Sequence, residues 1–184
     1  MNPTDYGTLV LVLLGFGVVT GVVAWTTAFA RRIFGPATLA LLVAAGVVAA
    51  VPSSVVVDDG WSVVLLVALG GLLAIAGGGP LTSLVFDLVD SRERPADSME
   101  RAGHVLRGGA WIGVLERAAV YATLVAGWPE GLAVVLALKG LGRYPELRAA
   151  EDGIRTGAAE RFIIGTFASV LWACGCAGVA ILLR

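Results

Sequence analysis

Apolar positions along this chain fall in long uncharged runs, and the polar ones gather in short clusters between them. A helix needs about 20 predominantly apolar residues to cross the hydrocarbon of a bilayer, roughly 30 Å thick. On that measure the runs predict spans over 7–30, closed by Arg31-Arg32, over 36–57, closed by Asp58-Asp59, and over 61–79, closed by the GGGP of 77–80. The next stretch, LTSLVFDLVD, places Leu81, Leu84, Val85 and Leu88 on one face and Ser83, Asp87 and Asp90 on another. It reads as an interfacial amphipathic helix, or as a continuation of the third helix beyond a kink. A polar stretch over 91–107 holds Pro95 as a breaker and Asp97 or Ser98 as an N-cap. Further spans follow over 108–128, 130–144 and 161–183, with a hydrophilic loop over 146–160. The pattern predicts an all-α fold: a polytopic transmembrane bundle of about six membrane helices with a short interfacial helix, built as a single domain over 1–184.

Composition agrees with that pattern. The chain is 58% hydrophobic and 15% charged, with a mean hydropathy of +0.88. A soluble domain carries about 25% charged residues. The net charge of −1 leaves no basic surface for nucleic acid. No basic segment precedes the first apolar run, so it reads as a retained helix and not as a cleaved signal. Six spans put Arg31, Arg32, Arg92, Arg94, Arg101, Arg107, Arg143, Arg148, Arg155 and Arg161 on one side. The other side holds Arg184, with Asp5, Asp58, Asp59 and Glu130. Positive residues mark the cytoplasmic side. The expected location is therefore the inner (plasma) membrane, multi-pass, with both termini non-cytoplasmic. The weakest segment is 130–144, since fifteen residues rise only about 22 Å; a re-entrant course would break the charge rule.

The chain has one histidine, His104, and two cysteines, Cys174 and Cys176, inside the last apolar run. They suit packing better than a metal or disulfide, and no metal or cofactor is expected. Three charges fall inside predicted spans: Glu116, Arg117 and Lys139. Each costs about 2.5–3.5 kcal/mol if left unpaired near the bilayer centre. They should therefore face the interior and pair. If the fourth and fifth helices are antiparallel across the turn near 127–130, Glu116 and Lys139 lie at similar depth, with Arg117 or Arg143 completing the pair. Small residues at Gly17 and Gly21, at Gly109 and Gly113, and at Gly165, Ser169, Ala173 and Ala177 permit close helix packing. That packing serves the single chain or, alternatively, a homo-oligomer. Asp87 and Asp90, with Thr82 and Ser83, mark a second candidate site at the cytoplasmic interface, or only a solvated helix face.

No nucleophile elbow, zinc-protease helix, P-loop or paired-aspartate metal signature is present. The segments GAWIGVLER (109–117), ALKGLGRYPEL (137–147) and ERFIIGTFAS (160–169) do form three ordered blocks. Together they resemble the C-terminal module of a family of small bacterial membrane proteins, whose blocks read G-x-x-I-G-x-L-E-R, A-x-K-x-x-x-R-[FY]-x-E-L and E-[RY]-x-x-I-G-T-x-x-S. The resemblance covers roughly 70 residues, about 109–177, just over a third of the chain. It implies a polar framework of Ile112, Gly113, Glu116, Arg117, Lys139, Arg143, Glu160, Gly165, Thr166 and Ser169. It implies no activity. Relatives are expected to carry an early helix with His and Asp, which this chain lacks.

Three functions remain open from the sequence. One is a transporter or channel subunit binding an ion or small solute at Glu116, Arg117, Lys139, Arg143, Glu160, Thr166 and Ser169. Another is an enzyme acting on a lipid or isoprenoid at the cytoplasmic interface, with Glu116, Glu160, Asp87 and Asp90 as acids and bases. The third is an assembly subunit in which the charges only lock helices. A cavity beside Glu116 and Lys139 favours the first two; a dry, satisfied pair favours the third.

Overall fold

A computed structural model describes residues 3–50, 60–90, 109–149 and 152–184. All its elements are helices: α1 (Pro3–Val23), α2 (Ala28–Ala49), α3 (Gly60–Asp90), α4 (Gly109–Val125), α5 (Glu130–Ala149) and α6 (Asp152–Leu182). Four stretches, Asp5–Val23, Ala28–Ala49, Gly60–Val89 and Ala159–Leu182, are long and apolar enough to cross a membrane. Asp58, Asp59, His104, the N-cap expected at Asp97 or Ser98, and Arg92, Arg94, Arg101 and Arg107 lie outside the described residues.

Several helix ends differ from the hydropathy runs. The first run breaks inside itself, at Trp25–Thr27. Trp25 N and Thr26 N bond back to Val22 O and Val23 O at 3.1 and 3.0 Å, tightening the last turn of α1. Thr27 is extended (φ −149°) and caps α2 by accepting from Ala30 N at 3.0 Å. Arg31 and Arg32 therefore sit in the first turns of α2 and not in a loop after α1. That helix ends at Ala49, ahead of Pro52 and short of the expected Val57.

The third helix runs through Pro80 to Asp90, so of the two alternatives for 81–90 it is the continued helix and not a separate interfacial one. Proline has no N–H, so the carbonyl of Ala76 loses its helical donor. The indole N–H of Trp25 donates to that carbonyl instead, at 2.7 Å. The Thr82 and Ser83 hydroxyls donate back to Gly78 O and Gly79 O at 2.7 and 3.2 Å.

The fourth helix ends in a Schellman turn. Trp128 N bonds Thr123 O at 2.8 Å and Gly127 N bonds Leu124 O at 3.0 Å. Gly127 takes the left-handed conformation this requires, with φ 75°. The next helix, α5, runs through Pro145 to Ala149, and α6 begins at Asp152. The expected loop over 146–160 is therefore largely helical. Its polar residues extend two helices past their apolar parts. At 20 residues, α5 is about 30 Å long, not the 22 Å of the apolar run.

The central element is α3, which packs against α1, α2, α4 and α6; α5 packs on α4 and α6. Its glycines let large side chains reach its backbone. Tyr121 lies against Gly70 and Gly71 and donates to Val67 O at 2.8 Å. Trp172 lies against Gly77 and donates to Leu73 O at 3.1 Å. Gly21 of α1 faces the backbone of Gly77, and Ser169, Ala173 and Ala177 of α6 are buried. The small-residue stripes of α1 and α6 are thus used within this chain. Cys176 is buried in the core and Cys174 partly so, both as free thiols. Large apolar side chains such as Phe16, Val47, Phe167 and Leu171 project outward, as the lipid-facing surface of a membrane bundle does. Exposed tryptophans stand at both ends: Trp61 and Trp128 at one, Trp25 and Trp111 at the other. Such belts mark the two membrane–water interfaces.

This packing makes Gly77 intolerant of a side chain. A Cβ there would run into the Trp172 ring and lie 3.1 Å from Thr38 Cγ2. Neither neighbour yields freely, because Trp172 is bonded to Leu73 O and Thr38 to Thr20 and Phe34 O. Gly77→Ala is expected to cost about 1–3 kcal/mol, the usual range for overpacking. Gly140→Ala, with nothing within 4 Å, is expected to be neutral or slightly stabilising. Thermal unfolding in detergent checks both.

Candidate functional site

The α1–α2 turn, the second half of α3, the first half of α4, the second half of α5 and residues 161–169 of α6 meet at one end of the bundle. They enclose a cavity of about 350 Å³. Arg31, Arg143 and Arg161 all line it. Arg184 is at the other end, where it donates to Val125 O at 2.7 Å. Among the described residues, the basic side chains that hydropathy placed on one side do gather at one end.

Two of the charges inside the apolar runs pair with each other. Lys139 Nζ donates to Glu116 Oε2, and their side chains are only 16% and 14% exposed. The antiparallel α4–α5 hairpin brings them together: its Schellman turn fixes where both helices start counting. Lys139 also lies 5.8 Å from the centroid of the Phe162 ring.

Arg117 behaves differently from the expectation that it completes this pair. It points away from Glu116 toward α3 and α6. Its Nη1 donates to Ser169 Oγ at 3.3 Å and its Nη2 to Ile75 O at 3.2 Å. Its stem packs on Gly78 and the residue is 4% exposed. Among the described residues no carboxylate lies within ion-pair distance of it. A buried guanidinium is held here by a hydroxyl and a carbonyl, both neutral.

Of the residues the sequence singled out, the structure brings Glu116, Arg117, Lys139, Arg143, Thr166 and Ser169 into one lining. Glu160 is exposed on α6 and is not part of it. Asp87 is half exposed and lies 3.8 Å from Arg31, beside the cavity. The side chain of Asp90, its companion in the expected second site, lies outside those described. Sequence reasoning missed Arg31 and Arg161 as lining residues because both were read only as charges at the ends of spans. The signal for Arg161 was its spacing: Arg161, Gly165 and Ser169 recur every four residues on one face of α6. Phe86 packs against Gly165 and lies under the Arg161 guanidinium, 5.0 Å from ring centroid to Cζ.

Compared with known proteins, the chain matches no family model, no curated protein and no solved structure.

The lining carries five cationic side chains, Arg31, Arg117, Lys139, Arg143 and Arg161, and one carboxylate, Glu116. Among the described residues, Arg31 Nε, Arg117 Nε and Thr166 Oγ1 are buried without a hydrogen-bond partner. Buried polar groups are nearly always satisfied, and each exception calls for a cause. A cavity lined by more cationic than anionic side chains is one whose sign of charge suits an anion.

Proposed function

We propose that this chain is a transporter or channel subunit of the plasma membrane, and that its cavity receives a small anionic solute. All six helices cross in this reading, with both termini outside and the cavity open to the cytoplasmic end. The gathering of Arg31, Arg143 and Arg161 at one end supports that orientation.

The observation that carries the reading is Arg117. An unpaired charge within the membrane costs about 2.5–3.5 kcal/mol even on the lenient scale. A protein that only needed helix packing would gain by replacing it with an apolar residue. Its retention beside a cavity, with a donor unspent, fits a group that meets its counter-ion in the ligand. The purely structural reading predicts a dry, satisfied pair, and Glu116–Lys139 borders the cavity instead. The enzyme reading needs a free base, and the lining's one carboxylate is held by Lys139.

Reconstitution into liposomes tests the proposal. Anion-dependent current or uptake is expected with the wild type. Arg117→Gln and Lys139→Met should each lower it by about tenfold or more, since a hydrogen bond to a charged group contributes about 1.5–3 kcal/mol. Flux of cations only, or anion flux unchanged in both variants, overturns it.

A further inference from the structure

We propose that a groove at the end of the bundle opposite the cavity holds an anionic phospholipid, with an acyl chain between α3 and α4 and the lipid phosphate on Arg184. Val64, Val67 and Ala68 of α3 line one side of the groove, and Ala122, Val125 and Ala126 at the end of α4 line the other. They enclose about 610 Å³, with Tyr121 at the inner end. The groove follows from side-chain size. Tyr121 fills the space between the two helices against Gly70 and Gly71, and donates to Val67 O at 2.8 Å. Toward the membrane surface the small residues Ala68, Ala122 and Ala126 leave that space open.

Length and charge select a lipid over a second protein helix. A docked helix buries a stripe of small residues over several turns, as α6 does within this chain through Ser169, Ala173 and Ala177. On α3 the groove has Ala68 alone, one turn from the outward-projecting Val64 and one turn from the equally exposed Leu72. The lining over 63–68 and 121–126 rises only about 8 Å along each helix, enough for the upper part of an acyl chain. Arg184 lines the same groove, is exposed, and forms no ion pair among the described residues. One of its N–H groups goes to Val125 O at 2.7 Å, and a guanidinium has five. Trp61 and Trp128, both exposed, lie two residues outside Val63 and Ala126. Exposed tryptophans mark the headgroup level, so the groove runs inward from that level. A cation at the mouth of an apolar groove complements an amphiphile whose phosphate sits above its chains, and anionic lipid is drawn to basic side chains at this depth.

The test uses the full chain, delipidated in detergent and titrated with phosphatidylglycerol or phosphatidylcholine of matched chains, with bound lipids counted by native mass spectrometry. Wild type, Arg184→Gln and Ala122→Leu are compared. Glutamine keeps a donor for Val125 O, and Ala122 is exposed, so both variants should unfold at the wild-type temperature. Wild type should hold one more phosphatidylglycerol than Arg184→Gln at low lipid concentration, an affinity difference of about fivefold, and the same number of phosphatidylcholine molecules. Ala122→Leu fills the groove and should lose one molecule of either lipid. Lipid gathered by the basic end of the bundle is the same in all three proteins and cancels. Equal phosphatidylglycerol uptake by wild type and Arg184→Gln overturns the proposal, as does Ala122→Leu binding both lipids like the wild type. A wild-type dimer that Ala122→Leu turns into a monomer assigns the groove to a second copy of the chain, and also overturns it.

Discussion

Arg117→Met is expected to stabilise the ligand-free protein by about 1–2 kcal/mol while removing anion binding. The two effects have one cause. The guanidinium is 4% exposed and has no carboxylate partner among the described residues. Desolvating a cation costs several kcal/mol even after relaxation, and apolar replacement of buried charge is often stabilising by 1–4 kcal/mol. Methionine keeps most of the packing, because it is the arginine stem that lies against Gly78. The two acceptors it abandons have other donors. The Ser169 hydroxyl can turn to a carbonyl of its own helix, and Ile75 O sits within the α3 ladder. Thermal unfolding in detergent with and without phosphate reads both effects. The wild type should be stabilised by phosphate, and the variant should start higher and not respond. If the variant instead loses 2 kcal/mol or more, Arg117 is a strut between α3, α4 and α6, and the site reading fails.

The contrast between Glu116 and Arg117 shows how much of the site was legible in the sequence. Adjacent charges in one apolar run look alike to any hydropathy measure. Insertion cost says each must find a partner, and the α4–α5 turn supplied one by register: twelve residues back from Trp128 is Glu116, nine on from Glu130 is Lys139. That inference needed only a helical rise and a tight turn. Arg117 points about 100° around the helix from Glu116, and its neighbours come from α3 and α6, which are distant in sequence. No local pattern specifies that rotation. The same step separates Glu160, which is exposed, from Arg161, which lines the cavity.

Helix ends were legible where a specific residue sets them and illegible where composition alone was used. Gly127 and Pro129 mark the end of α4. The α1–α2 turn lies inside an uncharged run, and only Thr26-Thr27 hints at it. Prolines were ambiguous. The expected span closes at Tyr144, ahead of Pro145, yet α5 runs on to Ala149; at Pro80 a stop and a continued helix both stood open, and the helix continues. At Pro80 the carbonyl that proline leaves without a donor is taken by Trp25, 51 residues away. A tertiary contact of that kind is invisible to a reading of local pattern.

The Glu116–Lys139 pair gives the second large effect, and it should be asymmetric. Removing one member of a buried pair costs about 3–5 kcal/mol when burial is complete. Here the side chains border a cavity and are about one-seventh exposed, so the lower end applies. Glu116→Gln leaves Lys139 uncompensated in a lining that also holds Arg31, Arg117, Arg143 and Arg161, with no carboxylate remaining there. A loss of about 3 kcal/mol is expected. Lys139→Met leaves Glu116 among those same cations, where Arg117 is its chain neighbour, and the loss should be smaller by 1 kcal/mol or more. The double variant should recover most of what Glu116→Gln alone loses, giving a coupling energy that a thermodynamic cycle in detergent measures. Phosphate then separates a ligand site from a structural lock. If the cavity is built for an anion, the ligand replaces the missing carboxylate, and phosphate should raise the stability of Glu116→Gln more than that of the wild type. Equal losses in the two single variants, with no added response to phosphate, would mean that the pair acts only between α4 and α5 and that the excess positive charge has no ligand to meet.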